Sequence, residues 1–261
     1  MRATEATDNE PVSFRATVCT PVAPMHAEPR IASPMVSQQL SGHTVDVLEP
    51  HGEWWRARGA DGYEGWMHQG FLSRDTPPPG DGARISLGCT VGRHGRATCK
   101  LPLLAVLGAE DQVESGEAVT LAELATRFPR DAAAIAETAR REFVGTSYLW
   151  GGITPWGADC SGLAQSAYAL HGIALPRDAW QQAECGQDAG RDRLVLEPAD
   201  LLFFSDRPDR RVTHVGMSLG EGRMVHLALS RGGYHVEQLA DVSDAFVKSL
   251  GERFLFARRI L

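Results

Sequence analysis

Cys160 has the most chemically loaded surroundings in this sequence. It follows the Gly- and Pro-rich segment GTSYLWGGITPWGAD and opens the run SGLAQSAYALHG, which reads as a buried helix stopped by Gly172. A thiol in the first turn of a helix meets unpaired N–H groups and the positive end of the helix dipole, with Asp159 as the natural N-cap. Both influences favour the anion, so the position predicts a lowered thiol pKa. A thiolate nucleophile needs a partner that holds its proton and returns it to a leaving amine, and histidine is the usual choice. Among the 9 histidines, His214 in VTHVGMSL and His226 in MVHLAL both lie in strand-like runs. Antiparallel neighbours joined by the GEGR turn would bring them side by side, His214 as base and His226 as the group orienting its ring. Taken singly, a helix-start cysteine and two strand histidines fit an ordinary core as well as a site. Taken together they fit a core less well.

These residues must be held by a folded scaffold, and the composition allows one. The chain has 261 residues, 43% hydrophobic and 23% charged, which suits one large or two modest globular domains rather than disorder or a fibrous repeat. A net charge of −7 argues against a nucleic-acid partner. The longest apolar runs, such as 101–107, are far shorter than the roughly 18–20 residues of a membrane span, so no membrane partner is expected. The opening MRATEATDNEPVSF carries Glu5, Asp8 and Glu10 and has no apolar core of a secretory signal, which predicts a cytoplasmic location. Five cysteines (Cys19, Cys89, Cys99, Cys160 and Cys185) are odd in number and show no C-x-x-C spacing. Neither a full disulfide framework nor a metal site is signalled, and no cofactor is called for.

Three segments emerge along the chain. Residues 12–75 give short β-like runs (SGHTVDVLEP, EWWRARGA, YEGWMH) between Gly and Asp turns, the spacing of a small β barrel, with Trp54, Trp55 and Trp66 expected in its core and rim. SRDTPPPGDG then favours extended geometry and reads as a linker. Within residues 83–128 the runs RISLGCTV and LPLLAVL are strand candidates and suggest a second, degraded β module. Residues 131–261 open with the amphipathic helix DAAAIAETARREF, N-capped by Asp131, and continue through the Cys160 helix into the strand-like runs DLLFFS, THVGMSL, RMVHLAL, YHVEQL and RFLFARRIL. Helices followed by strands predict an α+β domain.

The strings YLWGG, DCSGL, LPRD, PADLLFF, THVGM and VH, in this order, resemble the NlpC family of bacterial cell-wall cysteine peptidases, a papain-like α+β fold, over about residues 131–261. The resemblance implies Cys160 as nucleophile, His214 as general base and His226 as the third polar member. It also implies Tyr148 as a hydroxyl beside the cysteine that helps hold the oxyanion, with Asp159 and Ser161 as substrate-site residues flanking the nucleophile. Trp150 and Arg177 are left without a role. Ser147 stands where the family is expected to have proline, and Leu227 where a smaller residue is usual.

An SH3-like domain, a proline linker and an NlpC domain together are similar to the γ-D-glutamyl-L-diamino acid endopeptidases that process murein peptides. That similarity implies that Glu28 in PMHAEP and Tyr63 in DGYEGW bind the free amine of an N-terminal L-alanine at a closed end of the groove, and that the partner is a murein-derived peptide in cytoplasmic recycling. Two other readings are a broader cell-wall amidase or acyltransferase of the same fold and an inert wall-peptide binding module. Oligomeric state and the choice of diamino acid are not encoded in any motif.

Overall fold

The structure is a computed structural model and describes residues 13–80, 82–92 and 98–261. The opening segment that bears on export, the first residue of the 12–75 segment and part of the middle module lie outside the described residues.

The first unit is a curled antiparallel sheet of seven strands in the order Met35–Leu40, Val22–His26, Glu64–His68, Trp54–Arg58, Thr44–His51, Phe14–Val18 and Leu72–Ser73. Alternation along these short strands sends Ala16, Val18, Ala23, Met25, Val45, Val47, Ala57 and Met67 inward. The tryptophans were expected in core and rim. Trp55 packs against the core and edge-on to Phe14, whereas Trp54 stands between His26 and His68 and Trp66 meets His51; all three are partly exposed. Alanine, valine, methionine and leucine fill the fully buried positions.

The middle unit is a four-stranded sheet. Arg84–Gly92 pairs with Val106–Leu107, Gln112–Thr120 and Cys99–Leu101. LPLLAVL is therefore not one strand: it is a turn between two short strands, with Leu104 at φ +70°. The helix Leu121–Arg127 follows behind a capping box of Thr120 and Glu123. The module does not close a core of its own, because Leu40 of the first unit is buried together with Cys89, Val91, Leu101, Ala105 and Leu107.

The third unit has the order that the sequence predicts. Asp131 Oδ1 accepts the Ala134 N–H at 2.9 Å and starts the helix Ala132–Glu142. The helix Cys160–Leu170 follows, and both lie on one face of a six-stranded antiparallel sheet ordered Gln187–Gly190, Phe254–Arg259, Leu201–Phe204, His214–Gly220, Arg223–Ala228, Gly233–Gln238. Leu201, Phe203, Val215, Met217, Val225 and Leu227 face the helices. Leu202, Phe204 and Met224 face the other way, towards Leu250 of the helix Ala245–Arg253. Burial on both faces is why DLLFFS is continuously apolar instead of alternating.

The helix Cys160–Leu170 is buried along nearly its whole length, and its small residues permit close approach. A β-carbon on Gly162 would stand 2.1 Å from the Gly152 carbonyl oxygen, so this contact between helix and preceding loop requires glycine. Gly162→Ala should therefore force the helix away from the loop. We expect a Tm lower by about 3–10 °C in a thermal melt. An unchanged Tm would show that the loop yields without cost.

Candidate active site

Asp159 organises the site. Its Oδ1 accepts the Gly162 N–H at 2.8 Å, capping the nucleophile helix, and its Oδ2 accepts the Gly151 N–H at 2.8 Å, tying down the YLWGG loop. Arg177 is 1% exposed and grips the same carboxylate from behind at 3.0 and 2.7 Å, while also donating to Ser161 Oγ at 2.9 Å. Ser161 donates in turn to Asp159 Oδ1 at 3.2 Å. Asp159 and Ser161 do line the groove, but their polar atoms are engaged in holding the helix start, and Arg177, which the sequence left without a role, is the buried centre of that knot.

The Cys160 thiol lies against the backbone N–H groups of Ser161 and Val215, the residue after His214. The expectation of a lowered thiol pKa is overturned. Burial pushes the Cys160 thiol up and the Asp159 carboxylate pushes it further, outweighing those N–H groups and the more distant Arg177 charge. His214 is shifted oppositely, held well below the ordinary imidazole value by burial first and by His226 second. Cys160 and His214 are thus both shifted towards their uncharged forms, each chiefly by burial.

His214 is the first residue of its strand, and His226 lies diagonally across on the neighbouring strand, on the same face. Their rings meet at 2.9 Å, His214 Nε2 to His226 Nδ1. His226 is 0% exposed and its pKa is lowered by burial against the opposing pull of Glu237. Tyr148 comes from the YLWGG loop, whose Ser147 bridges to Gly233 of the sheet's last strand. Burial and the neighbouring Cys160 raise its phenol pKa, so the hydroxyl remains a donor. Tyr148, Asp206 and Thr213 line both the groove that holds Cys160 and the adjoining hollow that holds His214.

The groove measures about 880 Å³. Part of its wall is formed across two domains: the Tyr63 hydroxyl stands 3.4 Å from both carboxylate oxygens of Asp178, and Trp180 Nε1 donates to Asp178 Oδ2 at 3.1 Å. Tyr63 sits on the turn after Trp54–Arg58, fixed by Asp61, which accepts both the Tyr63 N–H and, through its second oxygen, Gln165 of the nucleophile helix. Glu28 is not brought to this wall. It is 57% exposed, pairs with Arg30 at 2.7 Å, and is not among the described residues lining the groove. A loop acid with its own arginine gains nothing by leaving water, and the acid facing Tyr63 is Asp178. Sequence reasoning missed Asp178, although it is the last residue of the quoted LPRD string, because nothing local couples position 178 to position 63. Trp150 is 64% exposed on the groove wall. Among the described residues no cluster of His, Cys, Asp and Glu is arranged to hold a metal ion, and no helix is long and apolar enough to cross a membrane.

Comparison with known proteins agrees with this architecture. The profile described as "NlpC/P60 family" matches residues 145–248, and one described as "Bacterial dipeptidyl-peptidase Sh3 domain" matches residues 25–70. A γ-D-glutamyl-L-lysine dipeptidyl-peptidase of Bacillus subtilis is 30% identical over 237 residues, covering 82% of this chain and 78% of the relative. The chain belongs to the NlpC/P60 family. A second relative of the same name, from Bacillus cereus, is 26% identical over 228 residues, covering 75% of this chain and 68% of that protein. The crystal structure of an NlpC/P60 family protein from Bacillus cereus superposes with a TM-score of 0.77 at 20% identity, covering 95% of this chain and 99% of the other, a likeness of fold. This chain is thus an NlpC/P60 cysteine peptidase with a papain-like α+β domain behind a bacterial SH3 domain.

A raised thiol pKa in this NlpC/P60 site has a direct readout. Alkylation of Cys160 by a small neutral reagent should accelerate steadily from about pH 7 to about pH 10, because the thiolate fraction is still growing throughout. A rate that is already level at neutral pH would show a preformed thiolate and contradict the raised thiol pKa.

Proposed function

We propose that this NlpC/P60 peptidase hydrolyses the bond between γ-D-glutamate and an L-diamino acid in murein peptides whose N-terminal L-alanine is free, and that it does so on recycled peptides in the cytoplasm. The observation that carries the reading is the meeting of Tyr63 and Asp178, from two domains, on the wall of the groove that holds Cys160. Burial raises the pKa of Asp178 against the pull of Arg177, so the carboxylate gains from a further cation. An ammonium group can donate to Asp178 and the Tyr63 oxygen together. The names of the two Bacillus relatives support the same bond class for this chain. A peptide with a free L-alanine has already been released from the glycan, which places the substrate among turnover products rather than in intact wall.

In this reading Cys160 is the nucleophile and His214 the base. Since His214 Nε2 is engaged with His226, Nδ1 is the nitrogen available to the thiol. The Sγ proton passes to it as sulfur attacks the γ-carbonyl carbon of D-glutamate. The oxyanion is met by the Tyr148 hydroxyl and the Cys160 N–H at the helix start. Collapse breaks the C–N bond, His214 returns the proton to the departing amine, and a thioester remains. Water, giving a proton to His214, then hydrolyses the thioester, releasing the dipeptide and restoring the thiol.

Cys160→Ala should abolish hydrolysis with the fold preserved, because alanine suits a helix start. His214→Ala should be nearly as damaging and His226→Ala less so, with losses in the double variant far from additive. These are read as kcat/KM on L-Ala-γ-D-Glu-diaminopimelate, and full turnover by Cys160→Ala would end the enzymatic reading.

Acetylating the substrate amine removes its charge and adds bulk beside Tyr63 and Asp178. Activity should fall at least about tenfold, since truncating a desolvated charge pair costs roughly 2–5 kcal/mol. Asp178→Ala should lose as much on the free-amine peptide, whereas Glu28→Ala should stay close to the native rate. Product masses distinguish this cleavage from amidase or acyltransferase chemistry. Equal rates on free and acetylated peptides would return the protein to the broader class of wall endopeptidases.

A further inference from the structure

Behind the two histidines lies a buried acid to which the mechanism above gives no part. Glu237, on the sheet's last strand, is 3% exposed, and its Oε1 stands 3.4 Å from His226 Nε2. A buried carboxylate is costly unless its lone pairs are met. Arg231 meets them, with Nε 2.8 Å from Oε1 and a terminal nitrogen 3.1 Å from Oε2. The same guanidinium reaches Asp244 at 2.6 Å, and Asp244 Oδ1 accepts the Phe246 N–H at the start of the helix Ala245–Arg253. Arg231 stacks on Phe246 at 4.5 Å, and that ring packs on His226 at 5.9 Å. The acid is thus held by Arg231, with His226 Nε2 at one oxygen and the half-exposed His235 Nε2 4.0 Å from the other.

Ionised Glu237 can only accept hydrogen bonds. Burial alone would raise its pKa, but the bonds from His226 and Arg231 outweigh burial and leave it lowered, so it is a carboxylate at neutral pH. The consequence passes along the chain of rings. His226 must carry its proton on Nε2 and leave Nδ1 bare; Nδ1 then accepts from His214 Nε2–H, and His214 Nδ1 is left bare towards the thiol. We propose that Glu237 is the positioning residue of this site, setting the direction of hydrogen bonding through His226 so that His214 presents an accepting nitrogen to Cys160. The inference rests on Cys160 and His214 being nucleophile and base. An acceptor at Glu237 is what makes two neutral histidines act as one oriented base; with a donor there, every bond reverses and His214 presents N–H to the sulfur.

Glu237→Gln is the discriminating variant, equal in size but uncharged and able to donate as well as accept. We expect kcat to fall roughly 10- to 100-fold with KM within about twofold of native. The charged and titratable groups facing the relay are His235 and Arg231 beside Glu237, Asp244 beyond Arg231, and Arg253 near His214. Only Glu237 is altered, and losing its negative charge removes support for a protonated histidine pair. The acidic limb of the kcat/KM profile should therefore move to lower pH. Glu237→Asp, which keeps the acceptor, should recover part of kcat. The native protein supplies a test independent of any variant's folding: imidazole 15N NMR should show both His214 and His226 protonated on Nε2 and bare on Nδ1. A His226 protonated on Nδ1, or a folded Glu237→Gln enzyme with native kcat and pH profile, would overturn the proposal. Turnover by Cys160→Ala would overturn the reading of the site instead, and the ring protonation, measured without substrate, separates the two failures.

Discussion

The buried pairing of Asp159 with Arg177 is the constraint on which the rest of the catalytic domain is arranged. One carboxylate caps the nucleophile helix, holds the YLWGG loop through Gly151 and receives two nitrogens of a guanidinium that has almost no contact with water. Desolvating both charges is expensive, and it is offset because the carboxylate's lone pairs are filled and the arginine also reaches Ser161 and the Gly152 carbonyl. Losing either partner would leave the other charged and buried. Burial lifts the thiol pKa and the same carboxylate adds to the rise, so the group that caps the sulfur's helix also opposes its ionisation.

Three features follow from that arrangement. The thiol is held against the strand that begins with His214, the loop bearing Tyr148 is pinned beside it, and Asp178, the next residue after Arg177, is carried to the groove wall opposite Tyr63. Adjacent residues in LPRD thus serve two sides of one wall, Arg177 facing inward to the scaffold and Asp178 outward to the groove. On the far side of the sheet a second charged cluster, Glu237 with Arg231 and Asp244, supports the histidine pair. The site is flanked by one buried ion pair, Asp159 with Arg177, and by a half-exposed cluster in which Glu237 alone is fully buried.

Much of this was legible in the sequence where the signal is local. The Asp131 and Asp159 caps, the helix after Cys160, the five strand-like runs and the approach of His214 to His226 all follow from capping chemistry, periodicity and one short turn. LPLLAVL misled because an apolar run is equally a pair of short strands around a turn. The capping box at Thr120 and Glu123 was readable but went unused. The thiol shift reversed because burial depends on the whole fold, whereas the helix dipole can be inferred from a few residues. Tyr63 does line the groove, whereas Glu28, paired with it by motif, does not, and only the docking of two domains brings Asp178 opposite Tyr63.

The middle module borrows Leu40 for its interior, and the first unit reaches the nucleophile helix through Asp61 and Gln165. Ile153, in the loop before Cys160, donates its N–H to Gln38 of the first unit at 3.1 Å. Neither boundary is a free hinge. The three parts cannot be exchanged like beads on a string, since cutting between them exposes a hydrophobic residue or orphans a buried amide on each side. A change in the front half is therefore felt at the groove, because Asp61, Gln38 and Tyr63 reach the helix, the loop and the wall that form it.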